Sequence, residues 1–74
     1  MKTTDKVMKV LYLENEIKLQ EMIIQSSYND YEIDRAYFKL DYLPEKLEKA
    51  IKELSSDEVD ILNYERKIAE REIY

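Results

Sequence analysis

Glycine is absent from all 74 residues of this chain, and proline occurs once, at position 44. Tight β-hairpins draw on glycine for positive φ, and phosphate-cradling loops draw on it for close backbone approach. Hairpin sheets and glycine-rich nucleotide loops are therefore disfavoured, whereas helices lose nothing. With 45% hydrophobic and 39% charged residues, the chain has the balance of a folded protein rather than a disordered one. The expected fold class is all-α: a small bundle of three to four short helices forming a single domain over residues 1–74. So short a chain buries a modest core. It has no cysteine for a disulfide, so tight helix packing or oligomerisation must supply the rest.

The helix boundaries follow from caps and apolar spacing. Thr4 or Asp5 caps a first helix over about residues 5–25. Its apolar residues fall into two groups. Val7, Met8, Leu11, Tyr12, Leu19, Met22 and Ile23 make a broad face, interrupted by Asn15 and Lys18. Val10, Leu13, Ile17 and Ile24 make a narrower stripe at heptad-like spacing. Ser26–Asn29 is a break. Asn29 with Glu32 has capping-box spacing, and Tyr28 with Ile33 that of a hydrophobic staple, so a second helix starts near Asp30. Proline lacks the amide that a helix interior needs but suits a first turn. A boundary or kink is therefore expected at Asp41–Pro44, dividing helices at about 30–42 and 44–54. The latter carries Leu43, Leu47, Ala50, Ile51 and Leu54, with Glu45–Lys49 and Glu48–Lys52 pairs on its wet side. Ser55 with Glu58 repeats the capping box, and Leu54 with Val59 the staple, opening a last helix at about 56–73. Ile61, Leu62, Tyr64, Ile68, Ala69 and Ile73 give it an apolar side.

Several chemistries lack their usual residues. Histidine is absent, which removes the commonest metal ligand, the usual acid–base group and any activator for Ser26, Ser27, Ser55 or Ser56. Asp57, Glu58 and Asp60 lie in a helix first turn, where acidic side chains complement the dipole. The alternating oxygen ligands and glycine turn of a calcium loop are missing. No catalytic residue, cofactor or metal is expected. The net charge of −5 argues against direct nucleic-acid binding and fits a basic partner. The amino terminus has charges throughout and lacks a signal-peptide core, and no apolar run reaches the roughly 20 residues of a membrane span. A cytoplasmic protein with no membrane contact is the expectation.

A helix, a polar turn and a second helix ending in Leu40-Asp41 followed by Leu43 loosely resembles the small sporulation phosphatases of the Spo-zero-E type. The spacing of Ile33, Ala36, Leu40 and Leu43 is similar. Their signature has Ser-Gln-Glu before Leu-Asp, where this chain has Tyr37, Phe38 and Lys39. The resemblance implies a small regulator that hydrolyses an aspartyl phosphate, with Asp41 at the matching position.

The aromatic residues give the other lead. On a helix at about 100° per residue, Ile33, Ala36, Tyr37, Leu40 and Leu43 share one side of the second helix, and Tyr31, Phe38 and Tyr42 share another. The first side is expected to build the core. The second either packs within the chain against the first helix or forms an interface, where aromatics concentrate. Taken as an interface, Tyr31, Phe38 and Tyr42 are the partner-binding residues. The functional expectation is a non-enzymatic protein-binding module: a small acidic helical regulator or inhibitor, self-associating as a homo-oligomer. Short length, acidity and Lys, Ile, Asn and Tyr usage fit a phage or mobile element. The alternatives are a structural homo-oligomer, a nucleic-acid-mimicking decoy and the phosphatase-like regulator.

Overall fold

The structure, a computed structural model, describes residues 4–72, with side chains through residue 69. It contains three helices: α1 (Asp5–Ser26), α2 (Asp30–Lys52) and α3 (Ser56–Glu72). No strand occurs among the described residues. Short connections at residues 27–29 and 53–55 reverse the chain twice. α2 therefore runs antiparallel to α1, and α3 runs back alongside α1. Ile73, expected at the end of the last apolar side, lies outside the described residues. No described helix is long and apolar enough to cross a membrane.

The helix ends are set by side chains. Thr4 caps α1, its hydroxyl oxygen accepting from the Val7 amide at 3.3 Å. Asn29 caps α2 by accepting from the Tyr31 and Glu32 amides at 2.9 and 3.4 Å. The reciprocal half of that box differs from expectation. Glu32 accepts from the Ser27 hydroxyl, and that hydroxyl oxygen accepts from the Asn29 amide. At α3 the box is complete: the Glu58 amide donates to Ser55 Oγ at 3.3 Å, and the Ser55 amide donates to Glu58 Oε1 at 3.1 Å.

Glu58 also ties two helix starts together. Its Oε2 accepts from the Thr4 hydroxyl at 2.7 Å, across 54 residues of sequence. One carboxylate therefore lies beside the amino-terminal ends of both α1 and α3, where partial positive charge gathers. The Thr4 hydroxyl, followed by the Ser55 amide, favours the charged form and holds this carboxyl below its ordinary value. Ten residues along α1, Glu14 Oε1 accepts from Arg66 Nε and Nη2 at 3.0 and 2.6 Å. These two ties, with Leu62 buried among core residues, fix α3 against α1.

The core consists of Val7, Val10, Leu13, Leu43, Ala50 and Leu62, with Leu11, Ile17, Tyr42, Leu47, Ile51, Leu54 and Ile61 packed at its margin. The narrow stripe of α1 supplies the seam toward α2. Gln20 continues that stripe and is 3% exposed. Ala36, Leu43 and Ala50 are the buried residues of α2, spaced by seven. Two alanines in that row let the backbones approach closely. Of the broad face of α1, Val7 is buried and Leu11 packs at the core margin, while Met8, Tyr12, Leu19 and Met22 stay exposed.

The boundary expected at Asp41–Pro44 is absent, because α2 runs unbroken through Pro44. A proline inside a helix costs roughly 3 kcal/mol and leaves the carbonyl four residues earlier, at Leu40, without its amide. Packing on both sides offsets that cost. Leu43 before the proline and Leu47, Ala50 and Ile51 after it all reach the same core. Each large aliphatic buried contributes about 1.5–3 kcal/mol. Breaking the helix at Pro44 would misalign the second half of this seam, so tertiary burial overrides the local preference. Pro44 itself faces solvent.

Candidate binding surface

Tyr31 and Phe38 project from α2 and are 67% and 70% exposed. Tyr31 borders a shallow groove with Gln20 and Ile23 of α1. Tyr42, one turn beyond Phe38, is half-buried and lies against the core margin. The three sequence-selected aromatics therefore divide into two exposed rings and one anchored ring. Tyr37, placed with the core residues by periodicity, is instead 56% exposed. The buried strip of α2 is too narrow to include it, because the row Ala36–Leu43–Ala50 meets one helix and not two.

The exposed rings are held by neighbours on α2. The Phe38 and Tyr42 ring centroids are 5.9 Å apart at an interplanar angle of 68°, an edge-to-face pair. The Arg35 guanidinium carbon lies 5.7 Å from the Tyr31 ring centre, and Lys46 Nζ lies 5.1 Å from that of Tyr42. Each of these three pairs is separated by four residues, one helical turn. Tyr31, Arg35, Phe38, Tyr42 and Lys46 thus form a ladder along one side of α2. An edge-to-face pair contributes about 0.5–1.5 kcal/mol beyond area burial, and an exposed cation–ring contact about 0.5–1 kcal/mol. Such contacts restrict the rings before any partner arrives, which lowers the ordering cost of binding.

Arg35 and Lys46 are the members that aromatic counting alone does not select. Their positions four residues after a tyrosine were the available signal. They also change the local electrostatics: the chain carries −5 overall, yet this ladder presents two cations. At the opposite end of the α1–α2 seam from the loop, Lys9, Tyr12, Lys46, Lys49 and Glu53 line an open groove with Leu13 and Ala50. Lys49 also pairs with Glu45 at 3.7 Å, and Lys52 with Glu48 at 3.4 Å, both fully in solvent reach. Such exposed pairs contribute little to stability.

No group of three or more carboxylates among the described residues stands close enough to hold a metal ion. Asp41, the position matched to the phosphatase signature, is exposed on α2. Comparison with protein-family models, with curated proteins and with solved structures finds no match to this chain.

Proposed function

We propose that this chain is a non-enzymatic protein-binding module, a small acidic regulator or inhibitor that acts by covering part of a partner protein. The observation that carries the reading is the α2 ladder, with Tyr31 and Phe38 largely exposed and flanked by Arg35 and Lys46. Aromatic and arginine side chains dominate the binding energy of protein interfaces. Here they stand preordered on one helix whose other side is fixed in the core. A helix that offers rings at one-turn intervals suits an apolar groove. The two cations suit acidic residues at the groove's edge, so the complementary charge at the contact is negative even though the module is itself acidic.

The test is site-directed photo-crosslinking in lysate of the native host. A photoreactive side chain at position 38 should trap a discrete protein, and one at Lys52, outside the ladder, should not. Tyr31→Ser in the position-38 chain should abolish the product. An equal yield from both positions, or a product indifferent to Tyr31→Ser, would overturn the reading.

A further inference from the structure

α1 carries a second apolar stripe that stays largely exposed among the described residues. Met8, Tyr12, Leu19 and Met22 are 57%, 63%, 47% and 63% exposed. Asn15, also exposed, sits between them. These residues recur in alternating steps of four and three, the spacing of a coiled-coil seam. They lie across the helix from the row Val10, Leu13, Ile17, Gln20 and Ile24 that faces α2. The molecule is also open. Its radius of gyration is 14.2 Å, where a compact chain of this length has about 11 Å. Its accessible surface is 6086 Å², where a folded monomer of 9.0 kDa exposes about 4,900 Å². A standard protein interface removes about 800 Å² from each partner, well within that excess.

We infer that α1 pairs antiparallel with α1 of a second copy, so that Met8 meets Leu19 and Tyr12 meets Asn15 of the other chain. Three features select this arrangement. The first is polar matching. Each Asn15 amide is set beside a tyrosine hydroxyl, so a polar group at a seam position finds a partner and fixes the register. The second is charge. In this register Lys9 flanks Glu16 of the second copy, and by symmetry Glu16 flanks its Lys9. Among the described residues neither group has an ion partner within its own chain. Sliding the helices by one heptad would set Glu16 against Glu16 and Lys18 against Lys18. A parallel pairing would set Leu11 against Glu16 and Lys18 against Ile23, with no opposite charges. The third is packing: methionine adapts to irregular gaps, and it occupies both ends of the stripe. Tyr31 and Phe38 lie outside this seam, which approaches the α2 ladder only at the groove that Lys9 and Tyr12 share with Lys46.

The test is sedimentation equilibrium of the full chain with reversed charges, each variant first checked for helical content. The wild type should dimerise. Lys9→Glu alone and Glu16→Lys alone should each raise the dissociation constant on the order of tenfold, since each turns two attractions into two repulsions. The combined variant should restore wild-type affinity. Phe38→Ser should leave it unchanged. Because the chain has no cysteine, a mixture of Tyr12→Cys and Asn15→Cys chains provides an independent reading. Under mild oxidation it should yield the mixed disulfide dimer. A monomeric wild type, a dimer indifferent to the single reversals, failure of the combined variant to recover, or a dimer dissolved by Phe38→Ser would each overturn the inference. So would preferential self-crosslinking of Asn15→Cys, which marks a parallel pair.

Discussion

Replacing Pro44 by alanine should stabilise the domain. Pro44 is exposed in the interior of α2, with buried Leu43 and Ala50 on either side. Alanine is favoured over proline in a helix interior by about 3 kcal/mol, a figure that includes the restored hydrogen bond to the Leu40 carbonyl. Removing proline also frees the unfolded chain, which returns about 0.4–1 kcal/mol to the unfolded side. No core side chain changes, so no cavity or packing cost enters. The net expectation is a gain of roughly 2 kcal/mol, since neighbouring turns have already relaxed around the ring. In a domain of this size that raises the melting temperature by about 8–16 °C. Thermal and urea melts followed by circular dichroism at 222 nm measure it. A Pro44→Ala chain no more stable than wild type, or less stable, would refute the continuous helix. That result belongs to a chain broken at residues 41–44, with Pro44 in a favourable first turn.

Two further outcomes follow from the caps. Ser55→Ala removes the acceptor for the Glu58 amide and should lower stability by about 0.5–2 kcal/mol in a urea melt; an unmoved midpoint would mean that the α3 start is held by something else. Glu58 ties pH to stability: its folded carboxyl lies below the ordinary value through the Thr4 hydroxyl and then the Ser55 amide. In the unfolded chain the carboxyl returns to its usual range and binds a proton more readily. The stabilisation is therefore complete above the unfolded value and is lost as pH falls through the lowered folded one. Urea midpoints across that acidic range should fall more steeply for wild type than for Glu58→Gln, and parallel curves would remove Glu58 as the source.

Local chemistry made the helix starts legible. Asn29 and Ser55 cap where their side chains and the residues after them indicated, Thr4 takes the cap for which Thr4 and Asp5 were both candidates, and the complete box at Ser55–Glu58 is entirely local in sequence. The continuity of α2 was hidden because the argument against proline is local, whereas the compensation comes from Leu47, Ala50 and Ile51 meeting residues of α1 far earlier in the chain. The choice between the two apolar groups of α1 was hidden for a related reason. The spacing did not rank the two groups, but the α2 row with Ala36 and Ala50 fits a narrow stripe, so Val10 and Leu13 went inside and Met8, Tyr12 and Met22 stayed out. Gln20 was buried by its register despite its polarity. Among the aromatics, periodicity separated Tyr31 and Phe38 from the core correctly. It misplaced Tyr37 and did not show that Tyr42 packs at the core margin. Arg35 and Lys46 needed side-chain geometry to be recognised as part of the same surface.

The most direct test of the proposed binding face is the double variant Tyr31→Ser/Phe38→Ser, which spares the anchored Tyr42. Its melt and its capture of the protein crosslinked through position 38 should be measured side by side, with crosslinking moved to Arg35. Exposed substitutions typically change stability by no more than about 0.5 kcal/mol each, whereas interface hot spots contribute 2 kcal/mol or more. The expected result is a cooperative melt close to wild type together with loss of the captured protein. Capture at the wild-type level from the folded variant, or collapse of the fold itself, would contradict a binding role for the α2 ladder.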